Sequence, residues 1–211
     1  MIQMLPGSFV PVLNDDELRL RCVRLRDARE LEAVLLRDRE WLQPWEATLP
    51  GDEGRWDVRA GIRSLLDLAG QGLALPFVMS IDQTIVGQLT VSNIQYGAVL
   101  SASIGYWVSK DLAGRGLTPR AVAMATDYCF QQMKLHRIEI CIRPENAASL
   151  RVVQKLGFRY EGYRRGYIHI DGDWRDHYCF ALLAEEVPEG ILNRWRAGRV
   201  DESVARVTWP T

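Results

Sequence analysis

Two glycines separated by one arginine form the clearest candidate for ligand-binding chemistry in the sequence. Gly114 and Gly116 lie in the stretch DLAGRGLT, between a strand-like run and a helix-like run. Glycine tolerates positive φ and close backbone approach, and the N–H groups that open a helix attract anions. Such a loop suits a pyrophosphate group. The spacing alone is a weak signal, because an ordinary strand-to-helix turn explains it equally well.

A second candidate pair, Asn146 and Ser149, stands at the start of another predicted helix. Their spacing places both side chains on one side of its first turn. Asn146 is also a suitable helix N-cap, so the residues leave a structural cap and a ligand contact equally open.

The pattern of apolar residues predicts the elements that must position these groups. Predicted strands cover residues 17–25, 76–81, 84–94, 101–108, 137–144, 160–170 and 174–183. Predicted helices cover residues 27–39, 56–68, 121–133, 149–158 and 188–199. The order βααβββαβαββ indicates an α/β (α+β) fold, with a mixed, mostly antiparallel sheet flanked by helices. We expect one domain over residues 1–185, followed by a C-terminal helix and tail over 186–211.

Composition limits the classes of partner. The 211 residues carry a formal net charge of -1, so no overall field draws the protein to nucleic acid or to an anionic membrane. No run approaches the roughly 20 apolar residues that span a bilayer, and prolines interrupt the N-terminal segment, so we expect a cytoplasmic protein without a signal peptide. The cysteines form no CxxC pair and predict four buried thiols, without metal or disulfide: Cys22, Cys129, Cys141 and Cys179.

The motifs around the glycine loop resemble the GNAT superfamily of N-acetyltransferases. The strand IGYWV precedes the loop, NAASLRVVQKLGF follows it, and DLAGRG lies on the family's Q/R-x-x-G-x-G/A acetyl-CoA signature. Asp111 stands where that signature usually has Gln or Arg. WLQPWE, IGYW and DGDWRDH are similar to RimJ/RimL-type N-terminal acetyltransferases, and more closely to the RimJ type. The resemblance covers residues 18–183.

The resemblance implies acetyl-CoA as cosubstrate and no metal. In that family the pantetheine arm lies beside the strand that matches Tyr106, Trp107 and Val108, much like an added strand. With Asp111 in the signature, backbone amides would carry most of the phosphate binding, helped by Arg115. The implied cofactor-binding residues of the loop and the next helix are Ala113, Gly114, Arg115, Gly116, Leu117, Thr118 and Asn146.

The resemblance also suggests catalytic residues. Ser149 matches the serine proposed as the acid in RimL-like enzymes, whereas the glutamate invoked there as base aligns with Ile168. Glu139 is then the candidate base, and the alternative is that its carboxylate has only a structural role. An α-amino group has a pKa of about 7.7–8.0, so no strong base is required. The three histidines are further candidates for the base, but none belongs to a recognisable triad, so a structural role is the favoured interpretation of each: His136, His169 and His177.

The implied reaction is direct transfer of acetyl to the α-amino group of a protein N-terminus, and ribosomal proteins are acceptors in this family. Trp41 and Trp45 would wall the acceptor channel, or simply pack against the core. Two alternatives stay open, namely a small-molecule amine as acceptor and a non-catalytic acyl-CoA-binding or ribosome-assembly factor. An open groove would favour a peptide as acceptor, whereas a closed, acidic pocket would favour a small polycation. We expect a monomer or homodimer.

Overall fold

The computed structural model of the chain describes residues 10–51 and 57–208. Its strands are β1 (Leu13–Asp15), β2 (Leu18–Cys22), β3 (Leu75–Ile81), β4 (Thr84–Gln95), β5 (Ser101–Val108), β6 (Arg137–Ile142), β7 (Arg159–Ile170) and β8 (Asp173–Leu183). Its helices are α1 (Ala28–Arg37), α2 (Arg39–Leu42), α3 (Val58–Gly70), α4 (Leu117–Gln131), α5 (Ala147–Leu156) and α6 (Ile191–Arg196). Residues 1–9, the predicted helix start at Trp56 and the last three residues lie outside the described ranges.

The eight strands form one sheet in the order β1-β2-β3-β4-β5-β6-β8-β7. Among these neighbours only β5 and β6 are parallel. The prediction of a mixed, mostly antiparallel sheet flanked by helices is confirmed.

Two tight hairpins follow directly from local turn chemistry. Asp82 and Gln83 join β3 to β4 with φ of 48° and 70°, and Asp171 and Gly172 join β7 to β8 with φ of 49° and 79°. Two-residue loops with positive φ match the right-handed twist of the flanking strands. The turn residues therefore fix the register of both hairpins, as their sequences predict.

The structure differs from the predicted elements near the N-terminus. Strand β1 is too short to show an alternating pattern in the sequence. It pairs with β2 through residues 13–15. The predicted helix over 27–39 ends at Arg37, and α2 follows Asp38, whose φ and ψ of -99° and 19° are not helical. The single predicted helix is therefore wrong, because a break at one residue leaves the apolar periodicity almost unchanged.

The helices cover the two faces of the sheet unequally. On β6, Ile138 and Ile140 are buried in the main core together with α4 and α5, whereas Glu139 and Cys141 alternate with them and point to the opposite face. On that opposite face, α1 and α3 pack over β3 and β4 in a smaller cluster. The opposite face of β6 and β8 thus carries polar and sulfur-containing side chains.

The segment after β8 packs onto the same core. Ile191 at the start of α6 is fully buried. The Asp127 carboxylate of α4 accepts hydrogen bonds from the backbone N–H groups of Ile191 at 2.6 Å and Leu192 at 3.2 Å. Within the described ranges, no helix has both the length and the apolar character to cross a membrane.

Candidate active site

A gap opens between the two central strands of the sheet. β5 and β6 are paired only from Ser101 and Arg137 to Ser103 and Glu139. Beyond these residues β5 stays paired with β4 as far as Val108, and β6 stays paired with β8 to its end. Because each strand follows its own half of the twisted sheet, the two diverge and leave a passage between the faces.

Backbone groups of β5 line one edge of this gap. The Ser109 N–H donates to the Val86 carbonyl of β4 at 2.8 Å. Successive residues of a strand direct their backbone groups to opposite edges, so Trp107 also faces β4, whereas Tyr106 and Val108 face the gap. The Val108 carbonyl accepts a hydrogen bond from the Trp41 indole at 3.2 Å. Tyr106 is thus the predicted pantetheine position whose backbone can bond an extended ligand.

The glycine loop adopts a conformation suited to anions. Gly114 and Gly116 both have φ of 79°, and a Cβ on either would meet no described atom within 4 Å. The Ala113 N–H donates to the Lys110 carbonyl at 3.1 Å. In contrast, the N–H groups of residues 114–118 have no acceptor in the part of the chain that the structure describes. A run of unpaired N–H groups at a helix N-terminus fits a pyrophosphate.

The end of α1 holds the start of this loop in place. Arg37 Nη2 donates to Ser109 Oγ at 2.7 Å, and the Asp38 carboxylate accepts from the Lys110 N–H at 3.2 Å. The Arg37 hydrogen bond keeps the pKa of Asp38 below its usual value, so Asp38 is an anion at neutral pH. The loop is therefore anchored by residues that lie about 70 positions earlier in the sequence.

A pair of hydroxyl groups lies where α5 meets the gap. Asn146 caps α5, since its Oδ1 accepts from the Ser149 N–H at 3.0 Å. Ser149 Oγ lies 2.7 Å from the Tyr106 hydroxyl, and burial raises the pKa of Tyr106 well above its usual value. Both groups therefore stay protonated and can donate a proton or a hydrogen bond. The Tyr106 side chain was not predicted for this position, although it alternates in phase with the buried Ala102 and Ile104.

A cleft of about 180 Å³ runs through the gap. It brings together Tyr106, Asn146 and Ser149 with Trp45 and His177. Ile168, which aligns with the glutamate of RimL-like enzymes, also lines it. Trp41 is not among its lining residues.

Glu139 lines a different recess, of about 280 Å³. Its carboxylate accepts hydrogen bonds from Arg164 Nη2 at 3.0 Å and Arg137 Nη2 at 3.2 Å. Both arginines also form ion pairs with this carboxylate. The structure thus places Glu139 and Ser149 in separate cavities.

The segment after α2 closes the cleft on one side. Arg143 Nη1 donates to the Pro44 carbonyl at 2.6 Å, and its guanidinium lies 5.4 Å from the centre of the Trp45 ring. Ala47 forms an isolated antiparallel bridge with Ile170 of β7. Trp45 is therefore held over the cleft by both β6 and β7.

Two of the histidines lie outside the cleft. His136 Nδ1 lies 3.2 Å from Glu185 at the surface, and His169 Nδ1 lies 2.7 Å from the Thr48 hydroxyl. His177 is buried and lines the cleft. Its position could have been suspected from its place in the DGDWRDH motif.

The cysteines are free thiols. Cys129 and Cys179 are buried as predicted, but Cys22 and Cys141 are only half-buried. Cys141 points to the face of β6 opposite α4, which explains its exposure. Among the described residues, no cluster of three or more His, Cys, Asp or Glu is arranged to hold a metal ion.

Comparison with known proteins assigns the chain to a family. The family model described as an acetyltransferase (GNAT) domain matches residues 17–159. The ribosomal protein uS5-alanine N-acetyltransferase of Escherichia coli (strain K12) is 31% identical over 183 residues, which cover 84% of this chain and 93% of that protein. YjcK of Bacillus subtilis (strain 168) is 40% identical over 102 residues, which cover 48% of this chain and 56% of YjcK.

A solved structure shows the same architecture. Mycobacterium smegmatis RimJ, in complex with CoA-disulfide, has a TM-score of 0.80 and 42% sequence identity, and the match covers 86% of this chain and 90% of that chain. The loop of unpaired N–H groups and the gap beside Tyr106 fit the pyrophosphate and the pantetheine arm of CoA. The chain therefore belongs to the GNAT family of acetyltransferases and is an N-acetyltransferase with acetyl-CoA as its cosubstrate.

Proposed function

We propose that this N-acetyltransferase acetylates the α-amino group of a protein N-terminus, and that its acceptor is a ribosomal protein. The observation that carries the proposal is the charge of the cleft, whose lining contains neither Asp nor Glu among the residues that the structure describes. A site for a small polycation needs carboxylates to compensate the desolvation of several ammonium groups. An N-terminus brings one amine of low pKa, which can enter as the neutral form.

An amino acid is a second candidate acceptor, because Arg143 lines the cleft and could pair with a free carboxylate. Arg143 already donates to the Pro44 carbonyl, and its Nε lies 3.3 Å from Glu145. Redirecting it to a ligand would release the segment that carries Trp45. This cost favours a peptide acceptor.

The relatives support the same acceptor class. The Escherichia coli protein is named for alanine acetylation of ribosomal protein uS5, and the match covers nearly all of its length. The similarity extends over both the cosubstrate loop and the hairpin that borders the cleft. We therefore propose a ribosomal protein N-terminus as the physiological acceptor.

In the proposed reaction the amine nitrogen forms a bond to the acetyl carbon, and the bond from that carbon to the CoA sulfur breaks. Ser149 donates its hydroxyl proton to the leaving sulfur, Tyr106, at 2.7 Å, replaces that proton, and solvent in the cleft then reprotonates Tyr106. The amine loses one proton, which is finally released to solvent, so the products are the acetylated amine and CoA thiol. The amine attacks directly, because Cys179 and burial raise the pKa of Cys141, the cysteine that lines the cleft, and so disfavour the thiolate that an acyl-enzyme would need.

The test measures release of CoA with three groups of acceptors at equal concentration. They are Ala- and Ser-initiated peptides, including the N-terminal sequence of uS5, the same peptides with a blocked N-terminus, and small amines and amino acids. We expect turnover only with free N-termini, and acetylation mapped to the α-amine by mass spectrometry. Turnover restricted to small amines would contradict the proposed acceptor. Acetyl-CoA binding without turnover of any amine would support a binding protein instead.

A further inference from the structure

His177 lies on the opposite side of the sheet from Ser149, at the other end of the same cleft. Cys179 pairs directly with Cys141, so both side chains share the face of the sheet away from α4. His177 is two residues from Cys179 on β8 and shares that face. Tyr106 and Ser149 lie on the α5 side. The passage between β5 and β6 therefore has hydroxyl donors at one end and an imidazole at the other.

The hydrogen bond of His177 fixes which ring nitrogen is basic. Its Nδ1 lies 3.0 Å from the Arg175 carbonyl oxygen, which can only accept a hydrogen bond. Nδ1 therefore carries the proton in the neutral ring, and Nε2 keeps its lone pair. Nε2 makes no hydrogen bond to any residue within the described ranges.

The surroundings of His177 favour its neutral form. Burial is the largest effect and lowers the pKa of His177 below 6.5, and Arg143 acts in the same direction. The Arg175 carbonyl, Glu145 and Asp176 oppose this shift.

Two further groups on β7 face His177. Arg164 is its cross-strand partner, and the Tyr167 ring lies edge-on with its centre 5.8 Å away. At neutral pH the imidazole is therefore uncharged and able to accept a proton.

We propose that His177 is the general base of the transfer, accepting through Nε2 the proton that the acceptor amine loses. This inference deepens the proposed function and rests on the same cleft. The imidazolium that forms then returns its proton to solvent, while Ser149 and Tyr106 supply the proton taken by the CoA sulfur. One proton thus leaves at the amine end and one is delivered at the sulfur end.

The position of His177 also explains why Glu139 is the weaker choice. Glu139 is bound to two arginines in a separate recess, whereas His177 shares its cleft with Ser149.

The decisive variant is His177→Asn, because the Asn amide can keep the hydrogen bond to the Arg175 carbonyl but cannot accept a proton. We expect kcat at pH 7 to fall by about 100-fold, the lower range for loss of a general base. The deficit should shrink towards pH 9, where hydroxide can accept the proton in place of the missing imidazole. The affinity for acetyl-CoA, measured by calorimetry, should stay within about threefold of the wild type. His136→Asn makes the same change at the surface and should leave kcat unchanged.

A loss of similar size at every pH, or a kcat close to that of the wild type, would overturn the proposal. If His177→Asn does not fold, His177→Gln, which is closer in size to histidine, is measured in the same way. Nitrogen NMR of the wild-type protein gives a readout without activity, and should show a protonated Nδ1 and an unprotonated Nε2 at pH 7. The reverse tautomer would also refute the assignment.

The acceptor for these measurements is whichever amine the wild-type enzyme turns over. If the enzyme acetylates a small amine but no peptide, the proposed acceptor is wrong, but the pH profile still tests the role of His177. If peptides succeed and His177→Asn is fully active, the acceptor proposal stands and the base assignment falls.

Discussion

Gly114 and Gly116 determine the shape of the phosphate loop through backbone conformation rather than through packing. Both have φ of 79°, and a Cβ added at either position would point into open space. A Cβ there would meet no described protein atom, and we expect a larger side chain to crowd a ligand bound at the unpaired N–H groups. Substitution should therefore affect ligand binding more than the fold.

We expect Gly114→Val to weaken acetyl-CoA binding by about 100-fold, the equivalent of losing about one charge-assisted hydrogen bond. The left-handed backbone should also cost about 1–2 kcal/mol of stability. Gly172→Val is the matched control, since Gly172 also has φ of 79° and open space but lies in the β7–β8 turn. Calorimetry and urea unfolding should show equal destabilisation and a binding defect only in Gly114→Val. Equal affinities for acetyl-CoA would contradict the loop assignment.

The hydroxyl pair leads to a second prediction at the residue scale. Ser149→Ala and Tyr106→Phe should each lower kcat by roughly 10- to 100-fold and leave the acetyl-CoA dissociation constant nearly unchanged. Because Tyr106 and Ser149 act together, the double variant should lose little more than either single variant. The raised pKa of Tyr106 keeps its hydroxyl protonated to pH 9 and above, so the wild type should show no loss of kcat from this group over that range. Additive losses would mean that the two hydroxyls act independently.

Local signals were sufficient to predict some of these residues and not others. Gly114, Gly116 and the Asn146 cap follow from their immediate neighbours in sequence. Tyr106 and Ser149 are 43 residues apart, so their contact depends on how β5 and α5 pack. The exposure of His177 to the cleft depends on the separation of β5 and β6, which no spacing within β8 reveals.

At the scale of elements, the first turn of α5 joins helix stability to the position of Ser149. Asn146 accepts from the Ser149 N–H, so loss of the cap should loosen the turn that carries the serine. Removal of a helix cap costs about 1 kcal/mol in many proteins. A second cap, Asp57 on α3, accepts from the Ala60 N–H at 2.9 Å, on a helix that packs against β3 and α1.

Asn146→Ala and Asp57→Ala should therefore destabilise the protein by similar amounts, about 1 kcal/mol each in urea unfolding. Only Asn146→Ala should also lower kcat, since only that cap positions Ser149. Steady-state kinetics well below the melting temperature separates the two effects. A kcat defect of the same size in Asp57→Ala would show that activity follows overall stability rather than the α5 turn.

Most elements could be predicted because their periodicity is strong, and the bounds of β5 were predicted correctly. Divergence of β5 from β6 could not be predicted in the same way. It arises because Val108 still pairs with Gly87 of β4 while Ile142 pairs with Tyr178 of β8. The gap thus results from pairing between strands that are far apart in the sequence. The alternating pattern of a single strand does not indicate which strands it pairs with.

At the scale of the whole molecule, Asp127 joins the final helix to the core. Its carboxylate satisfies two N–H groups at the start of α6, whose first residue is fully buried. A buried N–H group without a partner costs about 1–3 kcal/mol. The attachment of the C-terminal segment therefore depends strongly on one side chain.

We expect Asp127→Ala to lower the free energy of unfolding by about 2 kcal/mol or more. Its kcat at temperatures below the transition should be unchanged, since Asp127 lies outside the cleft. Asn193→Ala, which removes only an exposed hydrogen bond to Glu189, should cost less than about 0.5 kcal/mol. Urea unfolding of both variants gives the comparison. A small effect of Asp127→Ala would show that apolar packing alone holds α6.

The short pairing of β5 with β6 leaves the two halves of the sheet joined by three strand positions and by the helices that cross them. A ligand that forms hydrogen bonds to unpaired backbone groups of both β5 and β6 adds a further connection between the two halves of the sheet. A ligand at 100 times its dissociation constant adds about 2.7 kcal/mol to the stability of a protein that binds it only when folded. The lifetime of the folded enzyme is thereby linked to the supply of acetyl-CoA.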